Sequence, residues 1–330
     1  MAKVAIIGTG GTISSIGWGP LDLLDYPHTG QKMTVGELVE KFPVVREAAD
    51  LTLVPYKAVG SPEIGPSNWL DLANAIHAAV AADPALDGIV VTHGTATTEE
   101  TAYFLNLVLK VPQAVVVVGA QRPASAESSD AALNLYNAVR VAAAPESRGM
   151  GALVLLNDEI QSAREVTKTS TLRLQTFRTP DFGVLGQADG DEIRYYRQPL
   201  RARMPETEFD ISGRRELPRV DISYSYGGVD GTAVRAFVEA GAKGIVAASF
   251  APGMSHPQEV AALEDAVKKG VHVVVSTRAG SGRVVQRKAM NDRGFIAADN
   301  LNPQKARILL MLALTETDQR DDIIRMFATY

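Results

Sequence analysis

The sequence predicts an α/β protein, with a large N-terminal, mostly parallel sheet flanked by helices and a smaller C-terminal α/β domain. Three observations lead there. Apolar runs of strand length alternate with helix-length segments along most of the chain, the pattern of helices covering both faces of a parallel sheet. The first run, Val4–Ile7, is apolar without interruption, as in a strand buried on both faces. It ends in Gly8-Thr9-Gly10-Gly11-Thr12, a turn in which missing β-carbons allow close backbone approach, just past the carboxyl end of a strand. Open α/β sheets place their ligand sites at that end.

Taken in order, strands are expected at Val4–Ile7, Leu51–Tyr56, Gly88–Thr92, Ala114–Val118, Ala152–Leu156, Gly244–Ser249 and His272–Ser276. Helices are expected at Thr34–Phe42, where Thr34 and Glu37 have capping-box spacing, and at Ser67–Ala81, which follows Pro66. Further helices are expected at Thr98–Leu109, Asp130–Ala143, Gly231–Ala240, Pro257–Lys269, Pro303–Leu314 and Asp318–Ala328. The stretch Asp189–Arg219 is rich in Arg, Glu, Asp and Pro, with only short strand-like pieces such as Ile193–Tyr196, enough for one hairpin. It reads as a linker, giving an N-terminal domain over 1–188, the linker over 189–219 and a C-terminal domain over 220–330. Ser14–Lys32 is a second irregular stretch, carrying Trp18 and Tyr26 among glycines and prolines. Its length is that of an active-site lid or of a locally packed surface excursion.

Composition narrows the function. In 330 residues, 33 basic and 38 acidic side chains give a net charge of −5 without any long Lys/Arg run, which argues against nucleic acid and anionic membrane surfaces as partners. The absence of cysteine removes thiol nucleophiles, disulfides and thiolate metal sites. No apolar run is long enough to span a bilayer, and no leader-like segment opens the chain, so a cytoplasmic protein is expected.

The motifs narrow it further. His28, His77, His93, His256 and His272 have no zinc-binding spacing, and no GxSxG elbow or Walker A sequence occurs. Ile13 stands where a dinucleotide fingerprint needs its third glycine. Hydroxyl chemistry remains. Thr12 follows one buried strand, and Thr95, in Thr92-His93-Gly94-Thr95-Ala96-Thr97-Thr98, follows another. A neutral threonine needs a base, and Lys168 in Val166-Thr167-Lys168-Thr169, once desolvated, is able to accept a proton. Thr95 and Thr98 equally fit helix caps, and Lys168 an exposed loop lysine.

These residues resemble a known family. Thr9-Gly10-Gly11-Thr12-Ile13 and Thr92-His93-Gly94-Thr95, the latter followed by Glu99-Glu100-Thr101-Ala102, are similar to the two signature motifs of the bacterial-type L-asparaginases. Val118–Pro123, Asn157-Asp158, Val166–Thr169 and Phe177–Gly186 match in the same order along the chain. The resemblance implies two α/β domains of asparaginase-like fold and hydrolysis of the asparagine side-chain amide. It also implies a homotetramer built from intimate dimers, and no metal or organic cofactor. It implies Thr12 as nucleophile, Tyr26 on the lid as its activator, Thr95 and Lys168 as the second threonine and proton acceptor, and Ser61 as the holder of the substrate α-carboxylate. Gly11, Gly94, Ala96 and Glu63 complete the expected substrate-binding set for a small carboxylic amide.

Departures from the family pattern cluster on recognition of an amino group. Ala96 stands where the second motif carries an aspartate, and Pro62 where an amide or acidic residue follows the serine. Ser249-Phe250-Ala251-Pro252-Gly253 lacks an expected asparagine, and Val285–Ala289 lacks a clear equivalent of a glutamate. An ammonium stripped of water without anionic partners is penalised by several kcal/mol. Three readings therefore follow. The chain hydrolyses asparagine, with Glu63 as a replacement carboxylate. Or it hydrolyses an amide, imide or lactone lacking the α-amino group. Or it is a non-catalytic sensor of a small carboxylate.

Overall fold

A computed structural model describes every residue from Met1 to Tyr330, in two compact units, Met1–Thr207 and Glu208–Tyr330. In the first unit, strands β1 (Lys3–Gly8), β2 (Asp50–Val54), β3 (Gly88–Thr92), β4 (Ala114–Val118) and β5 (Ala152–Leu156) are parallel, in the order β2-β1-β3-β4-β5. Beyond β5 the sheet turns antiparallel. β6 (Glu159–Ser162) pairs back on β5 through Asn157 and Asp158, both at positive φ, as a two-residue hairpin turn requires. A separate small ladder joins β7 (Thr167–Lys168) to β8 (Phe177–Arg178). The edge of the large sheet is then completed by β9 (Gly186–Ala188) and β10 (Ile193–Tyr195).

Four helices cover this sheet: α1 (Val35–Lys41), α2 (Pro66–Ala82), α3 (Thr98–Val108) and α4 (Ala131–Ala143). Alternate strand residues Val4, Ile6, Val90, Val116, Val118, Leu153 and Leu155 form one core with Leu38 and Val39 of α1 and with Leu135, Ala138 and Val139 of α4. On the other face α2 and α3 pack together through a Trp69–Phe104 stack at 5.5 Å, and α3 lies against β4 and β5. Thr34 forms the capping box that its spacing with Glu37 predicts.

In the second unit β11 (Val220–Tyr224), β12 (Gly244–Ser249), β13 (His272–Thr277) and β14 (Ile296–Ala297) form a parallel sheet in sequential order. Helices α5 (Thr232–Glu239), α6 (Pro257–Lys268), α7 (Lys288–Asp292), α8 (Pro303–Glu316) and α9 (Arg320–Thr329) accompany it.

The segment 189–219 is divided between the two units. Its first part is β10, whose Ile193 and Tyr195 pack on the core of the large sheet, so the first compact unit extends to Thr207 rather than 188. Phe209 belongs to the second unit and is buried against Tyr330, 4.9 Å between ring centroids. A three-residue edge strand with a solvated face carries polar residues that read as a connector, which is why composition placed the boundary early.

Candidate active site

The order β2-β1-β3-β4-β5 reverses direction between β1 and β3, and the carboxyl ends of these two neighbours bound the crevice where doubly wound sheets bind ligands. Both threonine-bearing turns leave the sheet at this point. Thr9 donates from its amide to the Thr92 carbonyl at 3.1 Å and from its hydroxyl at 2.8 Å, so the ends of the strands are tied together. The turns then touch. Gly11 has φ 83°, and a β-carbon there would stand 2.2 Å from the Gly94 Cα; one on Gly94 would stand 2.7 Å from the Ser61 Oγ. Glycine at both positions follows from this packing.

A third turn closes the group. Gly11 donates to the Val59 carbonyl at 3.2 Å and Val59 to the Thr9 carbonyl at 3.0 Å, which seats Ser61 beside the second turn. Buried Ser61 accepts from the Ala96 amide at 3.3 Å through Oγ, and its carbonyl accepts from the Thr97 hydroxyl at 2.8 Å. Gly11, Thr12, Ser61, Gly94, Thr95 and Ala96, separated in sequence, are thus brought together.

Each threonine has one attendant. The Thr12 hydroxyl is 2.8 Å from the Tyr26 phenol oxygen. Tyr26 comes from the Ser14–Lys32 segment, a loop with a single 3-10 turn at Tyr26–Thr29, organised by Asp22. The Asp22 carboxylate accepts from the amides of Trp18, Leu24, Asp25 and Tyr26, at 2.8 to 3.3 Å, and these amides hold its carboxyl below the usual range, the Trp18 amide most strongly. The Gly17 amide donates to the Ser125 Oγ at 2.8 Å, and the Glu127 amide to the Pro20 carbonyl at 2.9 Å. Trp18, Leu21 and Leu24 remain exposed.

The Thr95 hydroxyl accepts from the Lys168 Nζ at 2.7 Å. Thr95 is therefore not the helix cap; that position belongs to Thr97, whose hydroxyl goes to Ser61 instead. Lys168 is half-buried on β7 rather than on an exposed loop. Burial pushes its ammonium pKa down, and the Glu99 carboxylate partly opposes that shift. Glu99, buried in the first turn of α3, accepts at Oε1 from the Thr167 hydroxyl and from the Lys168 amide, both at 3.2 Å.

Beneath the second turn His93 is fully buried, and burial pushes its pKa down to about 4. Its Nδ1 meets the Gly94 carbonyl at 2.8 Å and its Nε2 the Thr101 hydroxyl at 2.9 Å; Thr101 also accepts from the Trp69 indole at 3.0 Å. A carbonyl only accepts, so Nδ1 carries the proton and the neutral ring accepts at Nε2. Thr98 adds a second donor to the Gly94 carbonyl at 3.0 Å. With that carbonyl turned inward, the Thr95 amide of the same trans peptide points the opposite way.

Glu63 stands apart from this set. Exposed in the 3-10 turn Ser61–Glu63, it accepts from the Gly60 amide at 3.1 Å. No group of three or more His, Asp or Glu side chains is arranged to hold a metal ion. No helix is long and apolar enough to cross a membrane.

Glu99 and His93 lie within the second motif segment, but its spacing assigned them no part, and their contacts with β7 and with the Gly94 carbonyl come only from the fold. One signal was available. The run Ala102–Val108 marks α3 as buried almost all round, so a carboxylate in its first turn requires partners.

Comparison with known proteins agrees with this architecture. The family model described as "Asparaginase, N-terminal" matches residues 3–201, and that described as "Glutaminase/Asparaginase C-terminal domain" matches residues 219–327. The chain is 42% identical over 330 residues to L-asparaginase 2 of Bacillus subtilis, covering 100% of this chain and 87% of that protein. It is 40% identical over 333 residues to a glutaminase-asparaginase of Pseudomonas fluorescens, covering 100% and 91% respectively. The crystal structure of a probable cytoplasmic L-asparaginase from Campylobacter jejuni superposes with a TM-score of 0.95 at 40% identity, covering 100% of both chains.

Proposed function

The chain belongs to the bacterial-type asparaginase family, and we propose that it hydrolyses the side-chain amide of L-asparagine to L-aspartate and ammonia with Thr12 as nucleophile. The observation that carries this reading is the pairing of two hydroxyls at one switch point, Thr12 with Tyr26 at 2.8 Å and Thr95 with Lys168 at 2.7 Å. Thr12 Oγ1 attacks the amide carbon and its proton passes to a base; Tyr26 and the Thr95–Lys168 pair are the acceptors in reach of this crevice. The amide nitrogen takes a proton as the carbon–nitrogen bond breaks, ammonia leaves, and an ester on Thr12 remains. Water then attacks that ester, giving the carboxylate and restoring the hydroxyl. The outward Thr95 amide supports the developing oxyanion, whereas the Ala96 amide is committed to Ser61.

Ser61, at the meeting of the three turns, is the group for the substrate α-carboxylate. The homotetramer and the cytoplasmic location are part of this reading, supported by the family and, for location, by the likeness to the Campylobacter protein. Ammonia release from asparagine tests the reading. Thr12→Ala, with the fold intact by circular dichroism, is expected to lower kcat by at least about 10³-fold. A variant that keeps wild-type turnover refutes the nucleophile, and a chain that binds asparagine without turnover is a sensor.

One observation favours a second substrate. On the segments Gly8–Ser14, Val59–Ile64 and His93–Thr98, Glu63 is the one carboxylate, and it caps its own turn through Gly60. These turns therefore offer no ready anion to an α-ammonium, which supports turnover of an amide lacking that group. Succinamate hydrolysed as fast as asparagine would support this second reading; a preference for asparagine above about 100-fold, roughly 2.7 kcal/mol, would remove it.

A further inference from the structure

Lys168 has to exchange a proton with Thr95 while held in one place, and the turn that carries Thr95 brings no acidic side chain, since Ala96 and Thr97 follow it. The carboxylate comes from one turn further along. Glu99 Oε1 receives the Thr167 hydroxyl and the Lys168 amide, so a single oxygen fastens the short strand β7 to the first turn of α3. Thr95 precedes that same helical turn, so both ends of the 2.7 Å hydroxyl–amine contact are referred to one rigid element.

We propose that Glu99 is the positioning residue of Lys168, holding its backbone in register with Thr95 and supplying the negative charge against which the amine takes up a proton. This rests on the acyl-transfer reading of the same site. As a proton moves from hydroxyl to amine, an ammonium forms in a half-buried setting, where burial alone opposes it and a nearby anion favours it. From β8, Phe177 lies opposite Lys168 in the ladder, and the neighbouring Arg178 faces Glu159 at 3.6 Å. On α3, Glu100 follows Glu99, and Thr95 is neutral.

Glu99→Gln separates the two roles, because the amide oxygen still accepts from Thr167 and Lys168 while the charge is gone. In ammonia-release assays of the full-length protein, kcat is expected to fall about 10- to 100-fold, with KM for asparagine changed less than about threefold. The sign of the pH effect follows from charge. Without Glu99 the Lys168 ammonium loses its proton more readily, so the acidic limb of the kcat profile moves to lower pH. Glu99→Asp, which keeps the charge, is expected to hold that limb near its wild-type position. A Glu99→Gln profile superimposable on the wild type overturns the proposal, as does a loss of activity explained by a matching loss of folded protein with the limb unmoved. Failure of the underlying reading looks different, since Thr12→Ala would then retain turnover.

Discussion

The two threonine-bearing turns stand side by side at one switch point, yet they are held in opposite ways. The hydroxyl of Thr12 answers to Tyr26, on a loop whose Trp18, Leu21 and Leu24 are exposed and whose turn before Tyr26 is gathered around the Asp22 carboxylate. The hydroxyl of Thr95 answers to Lys168, fastened through Glu99 to a buried helix, above a fully buried imidazole relay. One attendant is able to leave without disturbing the core; the other is not. Local opening free energies are lowest in segments with few buried contacts, so ligand entry is expected on the Tyr26 side and fixed geometry on the Lys168 side.

The sharpest way to break this contrast is to strike the point where the turns meet. Gly11→Ala places a β-carbon 2.2 Å from the Gly94 Cα in a backbone at φ 83°, so both turns must separate. Strain and repacking together are expected to cost more than about 3 kcal/mol. Turnover should fall at least about 10³-fold, with a lower urea midpoint, because neither pair keeps its distance. A variant retaining activity would mean that contact between the turns is dispensable.

The buried side carries its own pH dependence. His93 is held near pKa 4 against an ordinary 6.5. Between those values the unfolded chain takes up the proton and the folded chain does not. The contribution is therefore whole above about pH 6.5 and is lost as pH falls through 4, amounting to about 3 kcal/mol. Urea midpoints measured from pH 7.5 to 4 should decline, and His93→Gln should flatten that decline. The exposed loop has no counterpart of this size, so equal slopes in the two proteins would erase the distinction.

Much of this was legible in the sequence. Apolar strands and glycine turns gave β1, β3 and the position of Thr12 and Thr95, because residues buried on both faces leave an unbroken apolar run. The resemblance tied Tyr26 and Lys168 to those threonines. The antiparallel strands β6 and β9 were not legible, since strands of three or four residues with mixed polarity have no period to detect, whereas β10 showed as the strand-like piece at Ile193–Tyr196. The Glu99 tether was hidden for another reason. An acidic residue in a helical first turn is already explained by the helix dipole, and only the fold brings Thr167 to it across 68 positions. Glu63 shows the converse. A carboxylate two residues from Ser61 is close in sequence, but its own turn claims it.

Smaller effects belong to the loop. Tyr26→Phe deletes the hydroxyl that meets Thr12 and leaves the ring, so kcat should drop about 10- to 100-fold while the melting temperature stays put. A melting shift of several degrees would place Tyr26 with the rigid side after all.

The smallest effect, and the most selective, is expected at Asp22. It touches neither Thr12 nor Thr95, but it accepts the amides of Trp18, Leu24, Asp25 and Tyr26 and thereby fixes the turn that carries the phenol. Asp22→Asn keeps one oxygen for those donors and loses the other along with the charge, so the loop should retain its path with weaker hold. The Tyr26 phenol then spends more time away from Thr12, and the reactive conformation must be recovered on each binding event. KM should rise about two- to fivefold with a similar fall in kcat, and proteolytic cleavage within 14–32 should quicken while the core stays resistant. Because Asp22 is partly exposed, its protonation does in acid what the substitution does at neutral pH. Its depressed pKa delays that loss to lower pH than an ordinary carboxylate would show. Loop cleavage that stays slow in Asp22→Asn would mean the Ser125 and Glu127 contacts hold the loop by themselves. The freedom assigned to the Tyr26 side would then have to be given up.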